Sequence, residues 1–130
     1  MELVNVIAAG FGSFVFGAIW YSVLGNRWME VSGVEVVDGK PANQKDPMPY
    51  VVGLVVSILM AGMMRHIFVG SGVEGIGRSA LYGAGLGLFI ACPWLVTCYG
   101  FAGRPKTLWW IDGGYAVGGS AVAGLILALF

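Results

Sequence analysis

The sequence predicts an all-α fold: a polytopic membrane protein, a four-transmembrane-helix bundle forming a single domain over residues 1–130. Three observations predict it. Apolar runs over 3–24, 50–69, 79–101 and 108–130 each have about the twenty residues a helix needs to cross roughly 30 Å of hydrocarbon. Charge is nearly excluded from them: none follows Glu2 in the first, none precedes Arg65 in the second, none follows Arg78 in the third, and the fourth holds only Asp112. The whole chain is 58% hydrophobic and 11% charged with a mean hydropathy of +0.82, against roughly 25% charged in soluble domains.

In the first span Glu2 stands where a secretory signal would carry Lys or Arg, so this helix is expected to remain in the mature protein. Its small residues Ala9, Ser13 and Gly17 recur every four positions. The polar loop over 25–49 contains the β-prone Val34 to Val37 and then Asp38, Gly39, Lys40 and Pro41, a turn-forming series. It reads as a partly ordered surface loop, long enough to lie over the adjoining end of the helices. Gly53, Ser57 and Ala61 mark the second span; Ser79, Gly83, Gly87 and Ala91 mark the third, where Pro93 removes a backbone hydrogen bond and predicts a kink. Cys92 and Cys98 lie six residues apart on that helix, too far round and along it to bridge each other. They read as small buried apolar residues.

The fourth span has Ala116, Ser120, Gly124 and Ala128, with Gly114 and Gly118 beside them. Helices in lipid associate where small residues let backbones approach. One such seam serves a four-helix unit, so the double stripe predicts a second contact, between protomers. A homo-oligomer, or a subunit of a larger membrane complex, is therefore expected, with Gly118 and Gly124 at the interface.

Basic residues divide as Arg27, Lys40, Lys45, Arg104 and Lys106 against Arg65 and Arg78. The positive-inside rule puts the first and third loops in the cytoplasm and both termini outside. Aromatic residues are also lopsided: Trp20, Trp28, Trp94, Trp109 and Trp110, with Tyr21, Tyr50, Tyr99 and Tyr115, fall toward the first and third loops, and only Tyr82 toward the other end. A functional site is expected at the aromatic end.

Several function classes are disfavoured. Seven basic and seven acidic residues leave no net charge and no basic stripe, so nucleic acid is not a partner. Gly70, Gly72 and Gly75 spell a dinucleotide fingerprint, but between two spans rather than in a βαβ unit, where it carries no meaning. Met60, Met63, Met64 and His66 are soft donors at one helix end, without a second metal motif to support copper handling. His66 is the only histidine, which leaves no hydrolytic triad; no enzyme activity, metal or other cofactor is expected.

Asp112 is the exception, because an ionisable group inside a span is costly unless paired or hydrated. Two readings stand. At the start of the fourth helix it would suit the helix dipole and pair with Arg27, Arg104 or Lys106. Alternatively, with Trp20, Tyr21, Trp109 and Tyr115, it lines a vestibule for a cation or amphiphile.

Trp20-Tyr21-Ser22, Trp28, Phe101-x-Gly103-Arg104-Pro105 and Ile111-Asp112-x-Gly114-Tyr115 together resemble a bacterial family of small four-span proteins catalogued as domain of unknown function seventeen sixty-one. The resemblance implies a four-span fold and a membrane setting, and transfers no activity. Small multidrug exporters, with a membrane-embedded Glu in the first helix, and dual-topology fluoride channels, with a polar track, fit less well. The favoured function is a structural, oligomer-forming or accessory membrane role; the alternative is a small permeation or binding unit. Single cysteines introduced at Lys40 and Arg104 are expected to resist an impermeant thiol reagent in intact cells, and labelling there would reverse the assigned topology.

Overall fold

The computed structural model describes residues 2–130. Among them four helices are long and apolar enough to cross a membrane: Glu2–Val23, Met48–Ser71, Ile76–Phe101 and Lys106–Leu127. The elements in chain order are α1 (Glu2–Val23), α2 (Gly25–Ser32), β1 (Val36–Val37), β2 (Lys40–Pro41), α3 (Met48–Ser71), α4 (Ile76–Leu86), a π turn over Gly87–Ala91, α5 (Cys92–Phe101) and α6 (Lys106–Leu127). The third span is thus composite. α6 packs against α1 on one side and the third span on the other, while α3 packs on α1 and also reaches α6. Ala9, Ala61, Met64, Phe68, Ala123 and Leu127 form the buried core toward the end where the chain termini lie.

Each small-residue stripe has a specific occupant. On one face of α6, backbone meets backbone: a Cβ at Gly83 would stand 2.3 Å from the Ser120 carbonyl oxygen, one at Gly124 2.3 Å from that of Ser79, and one at Gly87 2.5 Å from that of Ala116. On the other face, glycine meets aromatic ring. A Cβ at Gly118 would lie 2.3 Å from Phe16, one at Gly114 2.4 Å from Trp20, and on α1 one at Gly17 would lie 2.6 Å from Tyr115. Both stripes of α6 are therefore consumed within one chain, which corrects the expectation that Gly118 and Gly124 mark a contact between protomers. Two seams are needed because α6 is a central helix with neighbours on both sides.

Pro93 has no N–H to offer the Phe89 carbonyl, and its ring crowds that carbonyl in an α turn. The helix accommodates it by taking in an extra residue: the Cys92 N–H bonds to the Gly87 carbonyl, five residues back. The predicted kink site is thus a π turn. It also moves the seam, since the third span meets α6 through Ser79, Gly83 and Gly87 and then through Cys92, whose Sγ donates to the Gly113 carbonyl at 3.5 Å. Thr97 bonds back to the Pro93 carbonyl at 2.8 Å. Cys92 and Cys98 are both free thiols, Cys92 half-buried and Cys98 exposed rather than buried as the sequence reading had it.

The first loop is more ordered than its composition indicates. Val36 and Val37 pair antiparallel with Pro41 and Lys40, and the connecting Asp38 and Gly39 have φ of 53° and 75°. Positive φ at both central positions matches the twist of a two-residue hairpin turn, which Asp-Gly tolerates. The sequence reading missed α2, whose eight residues are too few to show a period. It lies against α1 and α6 at the aromatic end.

These seams make a prediction. Gly83→Leu and Gly124→Leu are expected to destabilise the detergent-purified protein by about 1–3 kcal/mol or more, since backbone cannot retreat from the added atoms. Gly77→Leu, where nothing lies within 4 Å of the added Cβ, should stay within about 0.5 kcal/mol of the parent. Thermal melts of the three variants check both.

Candidate functional site

The one carboxylate inside the fourth span is held by hydroxyls from two other spans. Tyr21, near the end of α1, donates to Asp112 Oδ1 at 2.5 Å, and Tyr99, near the end of α5, donates to Asp112 Oδ2. Asp112 itself is half-buried. A residue before it, the Ile111 carbonyl accepts the Trp20 Nε1–H at 2.8 Å. Two helices, α1 and α5, thus converge on one turn of α6 through three interhelical hydrogen bonds.

Rings complete the arrangement. Phe16 stacks on Trp20 with centroids 5.8 Å apart and on Tyr115 at 6.5 Å. Tyr21 meets Tyr115 edge-on at 5.5 Å and Trp28 of α2 at 6.2 Å. Local sequence explains how they fit. Gly114 and Gly118 leave the α6 surface bare where Trp20 and Phe16 lie, and Gly17 does the same for Tyr115. Gly103, at φ 69°, ends α5 with the Gly103 N–H bonded to the Gly100 carbonyl and the Arg104 N–H to the Tyr99 carbonyl. That Schellman closure fixes the last turn of α5, on which Tyr99 sits.

The predicted residues separate into two groups. Trp20, Tyr21, Tyr115 and Asp112 come together; Arg27 and Arg104 do not join them. Arg27 pairs with Glu30 at 2.9 Å and reaches Thr107 Oγ1 at 3.5 Å, while Arg104 donates to the Ser32 carbonyl at 2.6 Å. Among the described residues neither arginine nor Lys106 forms an ion pair with Asp112. The expected ion pair is replaced because the tyrosines sit on spans packed directly against α6, whereas both arginines are used in tying down α2 and the loop after it. Nor is Asp112 at the helix start: α6 begins at Lys106 after Pro105, which puts Asp112 in the second turn, past the unpaired N–H groups. Trp109 is half-buried, and its Nε1 is buried without a hydrogen-bond partner among the described residues.

Aromatic residues at this end divide by direction. Trp94 and Trp110 are 71% and 80% exposed, and Tyr50 is exposed as well, an outward belt distinct from the inward cluster. The soft donors at the other end divide too: Met60 and Met64 turn into the core, while Met63 and His66 are exposed, so they do not converge on one ion. Among the described residues no three His, Cys, Asp or Glu side chains gather as metal ligands.

Two polar residues escaped the sequence reading. Tyr99 reads from the sequence as one more aromatic, although its position in the turn before a Gly-Arg-Pro loop signals a fixed helix end. Asn5 is the other. It is buried, and its amide nitrogen donates to the Leu127 carbonyl at 3.1 Å, tying the start of α1 to the end of α6. The signal was an amide in an otherwise apolar run.

Two cavities lie elsewhere. One of about 350 Å³ opens near the chain termini beside Asn5, Arg65 and Ser79, and one of about 410 Å³ lies between α3 and α4. Asp112 lines neither.

The segments that meet here, Trp20-Tyr21, Trp28, Gly103-Arg104 and Ile111 to Tyr115, are the ones on which the family resemblance rests. The family model described as Protein of unknown function (DUF1761) matches residues 4–128. The chain belongs to that family. No curated protein and no solved structure matches it. In this DUF1761 protein the seating of Trp20 on Gly114 is directly testable. Gly114→Ala is expected to cost about 1–3 kcal/mol by forcing the indole off its seat, and adding Trp20→Leu should recover part of that loss in a double-mutant cycle. Denaturation of the four proteins in detergent provides the numbers.

Proposed function

We propose that this DUF1761 protein is an integral membrane protein, a four-helix bundle of the bacterial inner membrane with both termini outside, whose role is structural or accessory rather than enzymatic. The observation that carries this is the occupation of both Asp112 oxygens by tyrosines from two other spans. A group engaged in that way ties α1, α5 and α6 together at one level. Its chemistry goes into holding the bundle.

Lipid is the surrounding partner, and any self-association or docking in a larger complex falls to outward faces such as those of α3 and α5, since the glycine seams of α6 are filled within the chain. Those faces carry Val52, Val55, Leu59, Trp94 and Phe101, all exposed.

A second reading has one specific observation in its favour. Asp112 has no cationic partner among the described residues and stands among aromatic rings, an environment that attracts a cation. One set of variants separates the two readings. Under the structural role, Tyr21→Phe, Tyr99→Phe and Asp112→Asn each lower stability by about 1 kcal/mol, up to about 2, and Asp112→Asn combined with Tyr99→Phe costs less than the sum. Cation flux in proteoliposomes is then the same with or without them. An Asp112→Asn protein as stable as the parent but with flux abolished would assign the site to permeation. A charge swap between Asp112 and either Arg27 or Arg104 is expected to rescue nothing.

A further inference from the structure

The second and third spans both lean on α6 but make little contact with each other, and the gap between them is a groove of about 410 Å³ on the outer surface. Ile67 and Phe68 of α3 form one wall, and Leu81, Tyr82, Gly85 and Phe89 of the third span form the other. None of the described residues that line it is charged. Gly85 deepens it, because nothing lies within 4 Å of where its Cβ would be.

At the end nearer the chain termini the chemistry changes. Positions 78, 82 and 85 follow helical spacing of four and three, so Arg78 shares a face with Tyr82 and Gly85, one turn farther toward the start of α4. Helical side chains lean toward the N-terminus of their helix, which carries the guanidinium outward from the groove to the level of headgroups. Arg78 is exposed and forms no ion pair among the described residues; Glu74, four residues earlier, does not pair with it. An apolar trough with an uncommitted cation at its outer end is complementary to an amphiphile with an anionic head.

We propose that this groove holds an acyl chain of an anionic phospholipid whose phosphate is bound by Arg78. A second copy of the chain is the poorer occupant. A two-fold contact through this same face, about an axis along the membrane normal, would bring two Arg78 side chains to one level with like charges opposed. The inference rests on the membrane reading, which extraction tests by itself. A protein released from membranes by alkaline wash without detergent would end both ideas, whereas one that needs detergent but shows no lipid preference ends only this one.

The experiment is native mass spectrometry of the full chain released from nanodiscs of equal phosphatidylglycerol and phosphatidylcholine. The parent should retain phosphatidylglycerol in preference to phosphatidylcholine. Arg78→Gln should reduce that preference about fivefold, the effect of one basic residue at an anionic surface, while tail retention persists. Nothing lies within 4 Å of a Cβ at Gly85, so Gly85→Leu should fold with its side chain occupying the trough and lose both lipids. Retention unchanged in both variants overturns the proposal. So does a parent that is dimeric and becomes monomeric on Gly85→Leu, which would make the groove an interface between copies.

Discussion

Everything else in this fold depends on how closely other elements can approach α6. Between helices surrounded by hydrocarbon there is little hydrophobic gain to be had from association, so contact has to come from packing and hydrogen bonds. α6 meets that demand with five glycines, each facing a different group: Gly113 meets Cys92, Gly114 meets Trp20, Gly118 meets Phe16, Gly119 meets Ser13, and Gly124 meets Ser79. In an exposed helix each glycine would cost about 1 kcal/mol relative to alanine. Here an alanine at most of these positions would collide, so the residue with the lower intrinsic helix propensity is the one the packing accepts.

The π turn belongs to the same constraint. Along the third span the contact residues run at spacing four from Ser79 through Gly83 to Gly87, and the extra residue before Pro93 shifts the series so that Cys92 faces Gly113. From Cys92, regular helical spacing carries on to Tyr99 two turns later, where its hydroxyl reaches Asp112. An uninterrupted α-helix would rotate the residues beyond Pro93 by about 100° relative to those before it. The seam with α6 and the hydrogen bond at the aromatic end would then fall on different faces. Pro93 thereby reconciles a backbone seam at one end of the helix with a polar contact at the other.

Much of this was legible in the sequence. Length and charge exclusion show the four long helices, and spacing of four shows which residues of α1, α3 and the first part of α4 turn inward. The aromatic end was also legible, because Trp and Tyr cluster on one side of the chain's hydropathy pattern. What could not be read was pairing. Asp112 has several charged or polar candidates within the same end of the molecule, and choosing the tyrosines over Arg27 and Arg104 requires knowing that α1 and α5 flank α6 on opposite sides while the arginines are held by Glu30 and by the Ser32 carbonyl. The two stripes of α6 were visible, but a stripe does not reveal whether its neighbour is another span of the same chain or of a second one. Hydropathy starts α6 two residues late because Lys106 and Thr107 are polar, although Pro105 before them is a natural helix boundary.

Polar contacts are distributed unevenly among the spans, and that distribution separates a rigid part of the molecule from a looser one. α1 is pinned to α6 near both ends, by Asn5 to the Leu127 carbonyl and by Trp20 and Tyr21 to Ile111 and Asp112. Fifteen residues separate Asn5 from Trp20, which is about 22 Å of helix at 1.5 Å per residue. Two anchors that far apart fix both the distance and the angle between the helices. The third span has its strong anchor only at Tyr99, supported by the weaker Cys92 thiol contact, and its first half relies on backbone packing against Ser120 and Gly124. α3 is tied to α1 by Arg65, which pairs with Glu2 at 3.4 Å, but has less toward α6 and nothing polar toward α4 among the described residues: Ser57 spends its hydroxyl on its own Gly53 carbonyl, and the side-chain link from α6 to Met60 is a 4.0 Å contact with sulfur. Displacement of one span relative to the others therefore costs least between α3 and α4, where packing alone resists it and where the outer groove already lies.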